Sequence, residues 1–209
     1  MKNILTIALT VLITLTTFSQ NFEGKITYQN SFVSKMPNLE DEQFTSMMGS
    51  QNEFYIKEDN YKSMTDGTYY QWQLYINKDN KLYSKFANSK TILWNDSQIN
   101  NDSIITIALN KNVIDILGYN CDEIILTCES GIQKYYFTSK LAMSSELFKN
   151  HKYGNWYGYL KESNSLPLKM IIDNQQFTME SIAIEVKSMK LEDTYFQLPL
   201  NVETTKSPY

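Results

Sequence analysis

Residues 117–139 constrain the fold of this chain more than any other stretch. Two runs rich in β-branched and aromatic residues flank the pair Ser130-Gly131, a pattern that predicts a β-hairpin. With a two-residue loop, Leu126 lies opposite Tyr135. Alternation along the two strands then forms one apolar face from Ile124, Leu126, Cys128, Tyr135 and Phe137. Because a two-stranded ribbon is only marginally stable in water, this hairpin predicts a larger sheet with a cover over its apolar face.

The rest of the chain predicts the other strands of an antiparallel sheet. Short runs of alternating or β-rich sequence are separated by turn residues at close spacing, which is typical of a meander. The predicted strands lie at residues 22–32, 52–57, 61–64, 69–76, 81–86, 91–94, 104–109, 113–117, 166–173 and 177–186. In the strand at 69–76, one side is predicted to carry Tyr70, Trp72, Leu74 and Ile76.

Two segments predict helical turns. Residues 38–48 have Asn38 as a candidate N-cap, acidic residues in the first turn and Gly49 as a terminator, and we expect this helix to lie on the sheet. Residues 144–148 predict one further short helix. Residues 151–159 are aromatic with two glycines, which predicts a loop packed by its own rings.

Residues 1–20 predict a cleaved secretory signal. Lys2 supplies a positive start, and residues 4–15 form an apolar run that is too short to span the roughly 30 Å hydrocarbon core of a membrane. Residues 21–209 then form a single β-rich exported domain, in the periplasm or outside the cell. No second long apolar run occurs, so we expect no transmembrane anchor in the mature chain.

The residue inventory disfavours enzymatic chemistry and nucleic-acid binding. Arginine is absent, all 19 basic residues are lysines, and no basic cluster occurs. The single histidine, His151, has no acid placed by sequence to orient it and is predicted to face solvent. Cys121 and Cys128 are predicted on opposite faces of one strand, too far apart for a disulfide and too few for a zinc site. No metal, cofactor or enzymatic activity is therefore predicted.

Five short motifs resemble a group of exported proteins. They are GKITY at residues 24–28, LGYNC at 117–121, KYYFT at 134–138, LPL at 166–168 and FQLP at 196–199. Their order resembles that of small exported bacterial proteins of unknown function, among them the GLPGLI family, and is similar in outline to the lipoprotein-carrier half-barrel. The GLPGLI signature itself is matched only at Leu166 and Pro167. The resemblance implies a mainly β (α+β) fold, with a curved antiparallel sheet or open half-barrel and one or two short helices on a concave face that can hold an acyl chain.

These observations favour an exported, non-enzymatic binding protein that holds a lipid or another apolar molecule between the sheet and its covering helix. The candidate ligand-binding residues are Met47, Met48, Phe54, Tyr70, Trp72 and Leu74. The same side chains also fit an ordinary core, and this alternative stays open. A second hypothesis is a cell-envelope or surface module that docks a protein partner through Trp156, and a third is a hydrolase that uses His151.

Overall fold

The computed structural model describes residues 21–208 and confirms a mainly β fold built on one open, curved sheet of twelve strands. The predicted signal at residues 1–20 lies outside the described residues. The strands are β1 (Gly24–Ser34), β2 (Gln51–Lys57), β3 (Asn60–Thr65), β4 (Tyr70–Ile76), β5 (Lys81–Phe86), β6 (Ile92–Asp96), β7 (Ile104–Ile116), β8 (Tyr119–Cys128), β9 (Gly131–Ala142), β10 (Ser165–Asn174), β11 (Phe177–Ser188) and β12 (Thr204–Lys206).

The strand order shows that the sheet joins two meanders. From edge to edge the order is β12-β6-β5-β4-β3-β2-β1-β11-β10-β9-β8-β7. Neighbouring strands are antiparallel except β12, which runs parallel to β6. Because β1 pairs with β2 on one side and with β11 on the other, the first strand of the sheet connects the early meander to the late one.

The β8–β9 hairpin confirms the predicted apolar face but not the predicted register. Ile124 pairs with Tyr135 and Thr127 with Ile132, so each residue lies two positions from its expected partner. Thr127 and Ile132 are the last residues of the two strands to pair with each other, so four residues separate them instead of the predicted two. A shift of two leaves every side chain on its predicted face, because side chains alternate with a period of two. All five predicted apolar residues are buried, with at most 6 % of their surface exposed.

Helix α1 (Asp41–Met48) packs on β1 as expected, but it begins later than predicted. Its N-cap is Glu40, and the Gln43 side chain accepts a hydrogen bond from the Glu40 backbone N–H in a capping box. Asn38, the expected cap, lies outside the helix with a positive φ of 64°. Phe44 is the buried residue of α1, and its ring lies 5.3 Å from an aromatic ring of β1.

The segment predicted to be an aromatic loop instead forms a second helix, α2 (Trp156–Ser163). Tyr159 and Leu160 are its buried residues. Gly158 permits a close approach to the sheet, since a Cβ there would lie 2.6 Å from the Cδ1 of Ile104. The loop prediction was wrong because burial of these rings against the sheet outweighs the low helix propensity of glycine. A 3₁₀ turn at Ser145–Phe148 confirms the short helix expected before this segment.

Buried side chains form two hydrophobic clusters, which lie on opposite faces of the sheet at β4 and β5. The larger one, which we call the main core, packs the inner strands against α2 and the preceding 3₁₀ turn. The smaller one, the second core, is formed by Leu74, Tyr83, Ile92, Leu191 and Phe196. Leu74 and Tyr75 are adjacent in β4 yet fully buried in different cores, as alternation along a strand requires. Residues 189–202, which we call the C-terminal cover, therefore enclose the face of the sheet that α2 leaves open.

Cys121 and Cys128 are both free, as predicted. Both are buried in the main core, and their placement on opposite faces of the strand stays a prediction. The register with β7 shifts by two residues between Asn110 and Ile114, the partner of Cys121, and the extra residues lie in β7. Burial raises the pKa of each thiol to about 11, so both thiols are protonated at neutral pH.

Candidate ligand-binding pocket

Three of the predicted ligand-binding residues meet where α1 ends beside the start of β4. Gly67 is wedged there, and a Cβ on it would lie 2.6 Å from the carbonyl oxygens of both Met47 and Tyr70. The Met47 carbonyl also accepts a hydrogen bond from the Tyr69 amide at 3.0 Å. These contacts join backbone atoms, whereas the Tyr70 ring lies 5.6 Å from the ring of Phe86, so a shared apolar site of Met47, Met48 and Tyr70 stays a prediction.

Phe54 lies elsewhere, beneath the start of α2. Its ring centroid is 5.1 Å from that of Tyr61 and 6.3 Å from that of Trp156. The side chain is partly buried and packs against the main core.

Trp72 and Leu74 belong to the second core, on the opposite face of the sheet from α2. Leu74 is completely buried there. The β4–β5 register shifts between Tyr70 and Trp72, so Tyr70 does not continue the alternation that the sequence predicted. The six predicted residues thus occupy three separate places in the fold.

His151 was predicted to face solvent, but only 1 % of its surface is exposed. Its Nε2 atom lies 2.7 Å from the Tyr61 hydroxyl, and its ring centroid lies 4.2 Å from that of Tyr75. Burial lowers the pKa of His151 to about 3, so the ring is neutral at physiological pH. The prediction failed because the segment around His151 turns its rings inward as α2 packs on the sheet. An imidazole enclosed in this way has no path to a substrate in solvent.

Trp156 begins α2 and also packs into the interior. Its ring centroid lies 5.8–6.5 Å from those of Phe54, Tyr61, Phe148, His151 and Tyr159. The side chain is partly buried against the main core, and docking of a protein partner through Trp156 stays a prediction.

An open pocket of about 610 Å³, which we call the mouth pocket, lies where β1 begins and where β9 and β11 end. Its apolar lining includes side chains that belong to the main core or pack against it: Phe22, Tyr119, Leu141 and Val186. Its polar lining includes Asn21, Glu23, Lys140, Ser188 and Lys190. Small-molecule sites commonly have volumes of roughly 300–1,000 Å³, and the mouth pocket falls within that range with a lining that is about half polar.

The residues before β1 build one wall of the mouth pocket by crossing the end of the sheet. The Phe22 amide donates to the Ala142 carbonyl of β9 at 2.8 Å. The Asn21 side chain accepts a hydrogen bond from the Ser144 amide at 2.7 Å. These bonds tie the chain to the end of β9 before it enters β1, although β9 and β1 are not neighbours in the sheet.

The charges of the mouth pocket differ in whether they are paired. Lys190 and Glu23 form an ion pair at 2.8 Å. The hydrogen bonds from Lys190 and from the Leu191 amide hold the pKa of Glu23 below its ordinary value. Lys140 is exposed, and within residues 21–208 it forms no ion pair. Its positive charge is therefore free to attract an anionic group in the pocket.

Sequence reasoning missed the mouth pocket because its walls come from segments that are far apart in the chain. In the sequence, Phe22 and Val186 have the pattern of ordinary strand residues, and alternation alone predicts that such side chains lie in a core. The one local signal was Lys140, a charge near the end of a strand that is otherwise largely buried.

No family model and no curated protein matches this sequence. The resemblance to the GLPGLI family therefore stays a prediction. Within the described residues, no helix is long and apolar enough to cross a membrane. In the same part of the chain, no cluster of three or more histidine, cysteine or acidic side chains is arranged to hold a metal ion.

Proposed function

We propose that this protein is an exported, non-enzymatic binding protein for an amphipathic molecule with an apolar chain and an anionic head group, such as a fatty acid or a phospholipid. The observation that carries this proposal is the mouth pocket of about 610 Å³, in which an apolar wall adjoins a lysine without an ion-pair partner among the described residues. Export rests on the signal pattern at residues 1–20.

The apolar wall would hold the chain of the ligand. Leu141 is buried in the main core, and Phe22 and Val186 pack against that core, so these side chains offer a surface that is rigid before a ligand arrives. Apolar area removed from water contributes roughly 25 cal/mol per Å², which makes even a short acyl segment a substantial source of affinity. Preformed walls also reduce the entropy that binding must overcome.

The polar side of the pocket would hold the head group. Lys140 presents an ammonium group without a carboxylate partner among residues 21–208, whereas the charge of Lys190 is already balanced by Glu23. A carboxylate or phosphate that enters the pocket would therefore meet Lys140 first. The lysine is exposed, so its contribution to affinity is modest and depends on salt concentration.

The proposal is tested by titrating the purified protein with a fluorescent fatty acid and with the corresponding uncharged alcohol. We expect Lys140→Gln to weaken binding of the acid roughly threefold to tenfold and to leave binding of the alcohol unchanged, because only the acid uses the ammonium group. Val186→Trp should weaken binding of both probes, because the larger ring occupies part of the apolar wall where the chain would lie. The matched control is Lys134→Gln, which removes a lysine of the same strand that does not line the pocket.

Native mass spectrometry before and after organic extraction gives an independent check on protein taken from its native host. A co-purifying mass of a few hundred daltons that extraction removes would identify the ligand class. If neither probe binds, or if Lys134→Gln weakens the acid as much as Lys140→Gln does, the mouth pocket is not the binding site.

A further inference from the structure

Edge strand β7 exposes an unusual amount of apolar surface. Residues 105–113 are all exposed, and the exposed fraction reaches 45–63 % for Ile105, Ile107, Leu109 and Val113. As the last strand of the sheet, β7 pairs with β8 on one side, and no strand within residues 21–208 pairs with its outer edge. An exposed, apolar edge of this kind is a template for pairing with another chain.

Only part of β7 is regular enough to accept a further strand. Its register with β8 is continuous from Thr106 to Asn110 and shifts on both sides of that segment. On the C-terminal side Asn112 adopts a positive φ of 54°. Bulges bend a strand and interrupt pairing, so they confine any added strand to residues 106–110.

The side chains of this segment separate cleanly by face. Ile107 and Leu109 pair with Leu126 and Ile124 of β8, which are completely buried. Their side chains therefore extend a row of the main core beyond the last strand and into solvent. The other face of the segment carries Thr106, Ala108 and Asn110, and none of residues 106–110 is charged. A matching strand must supply apolar side chains on one face and small or polar ones on the other.

We propose that β7 pairs antiparallel with β7 of a second copy of this chain, about a twofold axis that passes through Ala108. Each Ile107 then lies opposite Leu109 of the second copy, and each Thr106 lies opposite Asn110. Apolar side chains face apolar ones, polar side chains face polar ones, and no like charges are opposed. The edge is its own complement in this register, and a single twofold contact covers it in both copies at once.

Other registers fit less well. A shift of one residue places Ile107 opposite Ala108 and mixes the two faces. A shift of two centres the pair on Ile107 and brings in Ile105, where the strand is already irregular. This inference is independent of the mouth pocket, whose lining lies outside residues 106–110.

Cysteine cross-linking tests the proposed axis directly. Residues that face each other across antiparallel strands have α-carbons about 4.5–5.5 Å apart, a separation that a disulfide can bridge. We expect Ala108→Cys to form a disulfide-linked dimer under mild oxidation and to revert on reduction. Thr106→Cys should form at least tenfold less disulfide-linked dimer, because the two copies of residue 106 are four strand positions apart. The wild-type chain is the background control, since both native cysteines are buried.

Sedimentation velocity of the uncross-linked protein supplies the second measurement. We expect a concentration-dependent dimer that Ile107→Lys weakens at least tenfold, because it places charges on both sides of the axis. Ile184→Lys is the matched control, since Ile184 is 49 % exposed in β11, away from this edge. Circular dichroism establishes that both variants fold. A wild-type chain that stays monomeric at all concentrations would overturn the proposal. Disulfide-linked dimers that form with Thr106→Cys but not with Ala108→Cys would overturn it as well. So would a β7 edge that binds an added β-strand peptide but not a second copy of the chain.

Discussion

The main core and the second core share one sheet but are covered in different ways. The cover of the main core, α2 and its 3₁₀ turns, lies between β9 and β10, which are paired neighbours in the sheet. The C-terminal cover follows β11 and leads into β12, which is three residues long. The cover of the main core is thus held by a long strand at each of its ends, whereas the C-terminal cover is held by a long strand only at its start. We expect the main core to unfold with the whole domain and the C-terminal cover to open locally.

The two cores also differ in how they treat polar groups. In the main core the Tyr28 hydroxyl donates to the Pro167 carbonyl at 2.7 Å, and the Tyr159 hydroxyl donates to the Ser165 carbonyl at 2.8 Å. Around the second core, the partly buried tryptophans contact lysine ammonium groups at the surface, with Lys81 lying 4.0 Å from the Trp94 ring centroid. These tyrosine hydroxyls of the main core thus bond to buried backbone carbonyls, whereas the tryptophan–lysine contacts around the second core stay in reach of water. Two other buried polar atoms at the main core, His151 Nδ1 and Trp156 Nε1, have no hydrogen-bond partner among the described residues.

The largest expected effect on stability comes from truncating one phenylalanine in each core. Phe148→Ala should lower the free energy of unfolding by about 4 kcal/mol, because Phe148 is completely buried and its 3₁₀ turn, held between β9 and α2, cannot collapse around the space. Phe196→Ala should lower it by about 2 kcal/mol, since the C-terminal cover can settle into the vacated volume. Urea unfolding followed by circular dichroism measures both values. Equal losses would mean that the two cores form one cooperative unit.

A second prediction concerns the pH dependence of stability, which should depend on the buried His151, the single histidine of the chain. Its pKa is about 3 in the folded protein against an ordinary value of 6.5. Between these two pH values the unfolded chain binds a proton that the folded protein does not. The contribution of His151 to the free energy of unfolding is therefore fully present above about pH 6.5 and is lost as the pH falls. From about pH 6.5 to about pH 5 we expect a loss of about 1.5 kcal/mol, measured by urea unfolding at each pH.

The control is His151→Gln, which cannot titrate and should show a nearly flat profile over the same interval. Carboxylates with lowered pKa values, such as Asp66 and Asp122, contribute mainly at lower pH and do so in both proteins. An unchanged slope in His151→Gln would contradict the burial of a neutral histidine.

A third prediction compares buried and accessible hydroxyl groups. Tyr28→Phe should destabilise the protein by about 1.5 kcal/mol, because it leaves the buried Pro167 carbonyl without its hydrogen bond. Tyr83→Phe, in the second core, should cost about 0.5 kcal/mol, because its partner Asp79 is exposed and can bond water instead. Thermal or urea unfolding of the two variants side by side decides between this order and the reverse.

The smallest expected effect on global stability comes from the anchor of the C-terminal cover. The Lys57 ammonium group donates to the Leu191 carbonyl at 2.8 Å and to Asp193 at 2.6 Å. Lys57→Met should leave global unfolding almost unchanged but speed limited proteolysis within residues 189–202, because it frees a segment that opens locally. Lys78→Met is the control, since Lys78 lies near this anchor but, within the described residues, forms no hydrogen bond or ion pair with residues 189–202. Equal rates of cleavage in the two variants would show that Lys57 does not anchor the C-terminal cover.

Much of the sheet was predictable because strands depend on local patterns. The bounds of β4 and β5 were predicted within one residue, and the apolar face of the β8–β9 hairpin was confirmed residue by residue. These features follow from alternation with a period of two, which any half-buried strand must show. The hairpin register was wrong by two residues, since alternation is unchanged by such a shift and cannot reveal it.

The site was far less predictable because a pocket depends on which segments meet. The predicted lining residues were chosen from strong apolar patterns, and those patterns also mark core positions. Leu74 shows the difficulty, since its burial was anticipated but its cover, residues 189–202, lies more than a hundred positions later in the chain. The mouth pocket likewise brings Phe22 next to Leu141 and Val186, which no local pattern connects.

By itself, the sequence determined that this chain forms a mainly β fold of short antiparallel strands with a helix near residue 44, since periodicity, capping residues and turn residues act locally. Tertiary structure alone decided the direction of His151, the helix at Trp156–Ser163, the two opposite cores and the mouth pocket. The physical reason is that burial depends on the area covered by distant segments. An aromatic run with glycines becomes a helix, and a lone histidine becomes a neutral core residue, only when a curved sheet is present to bury them.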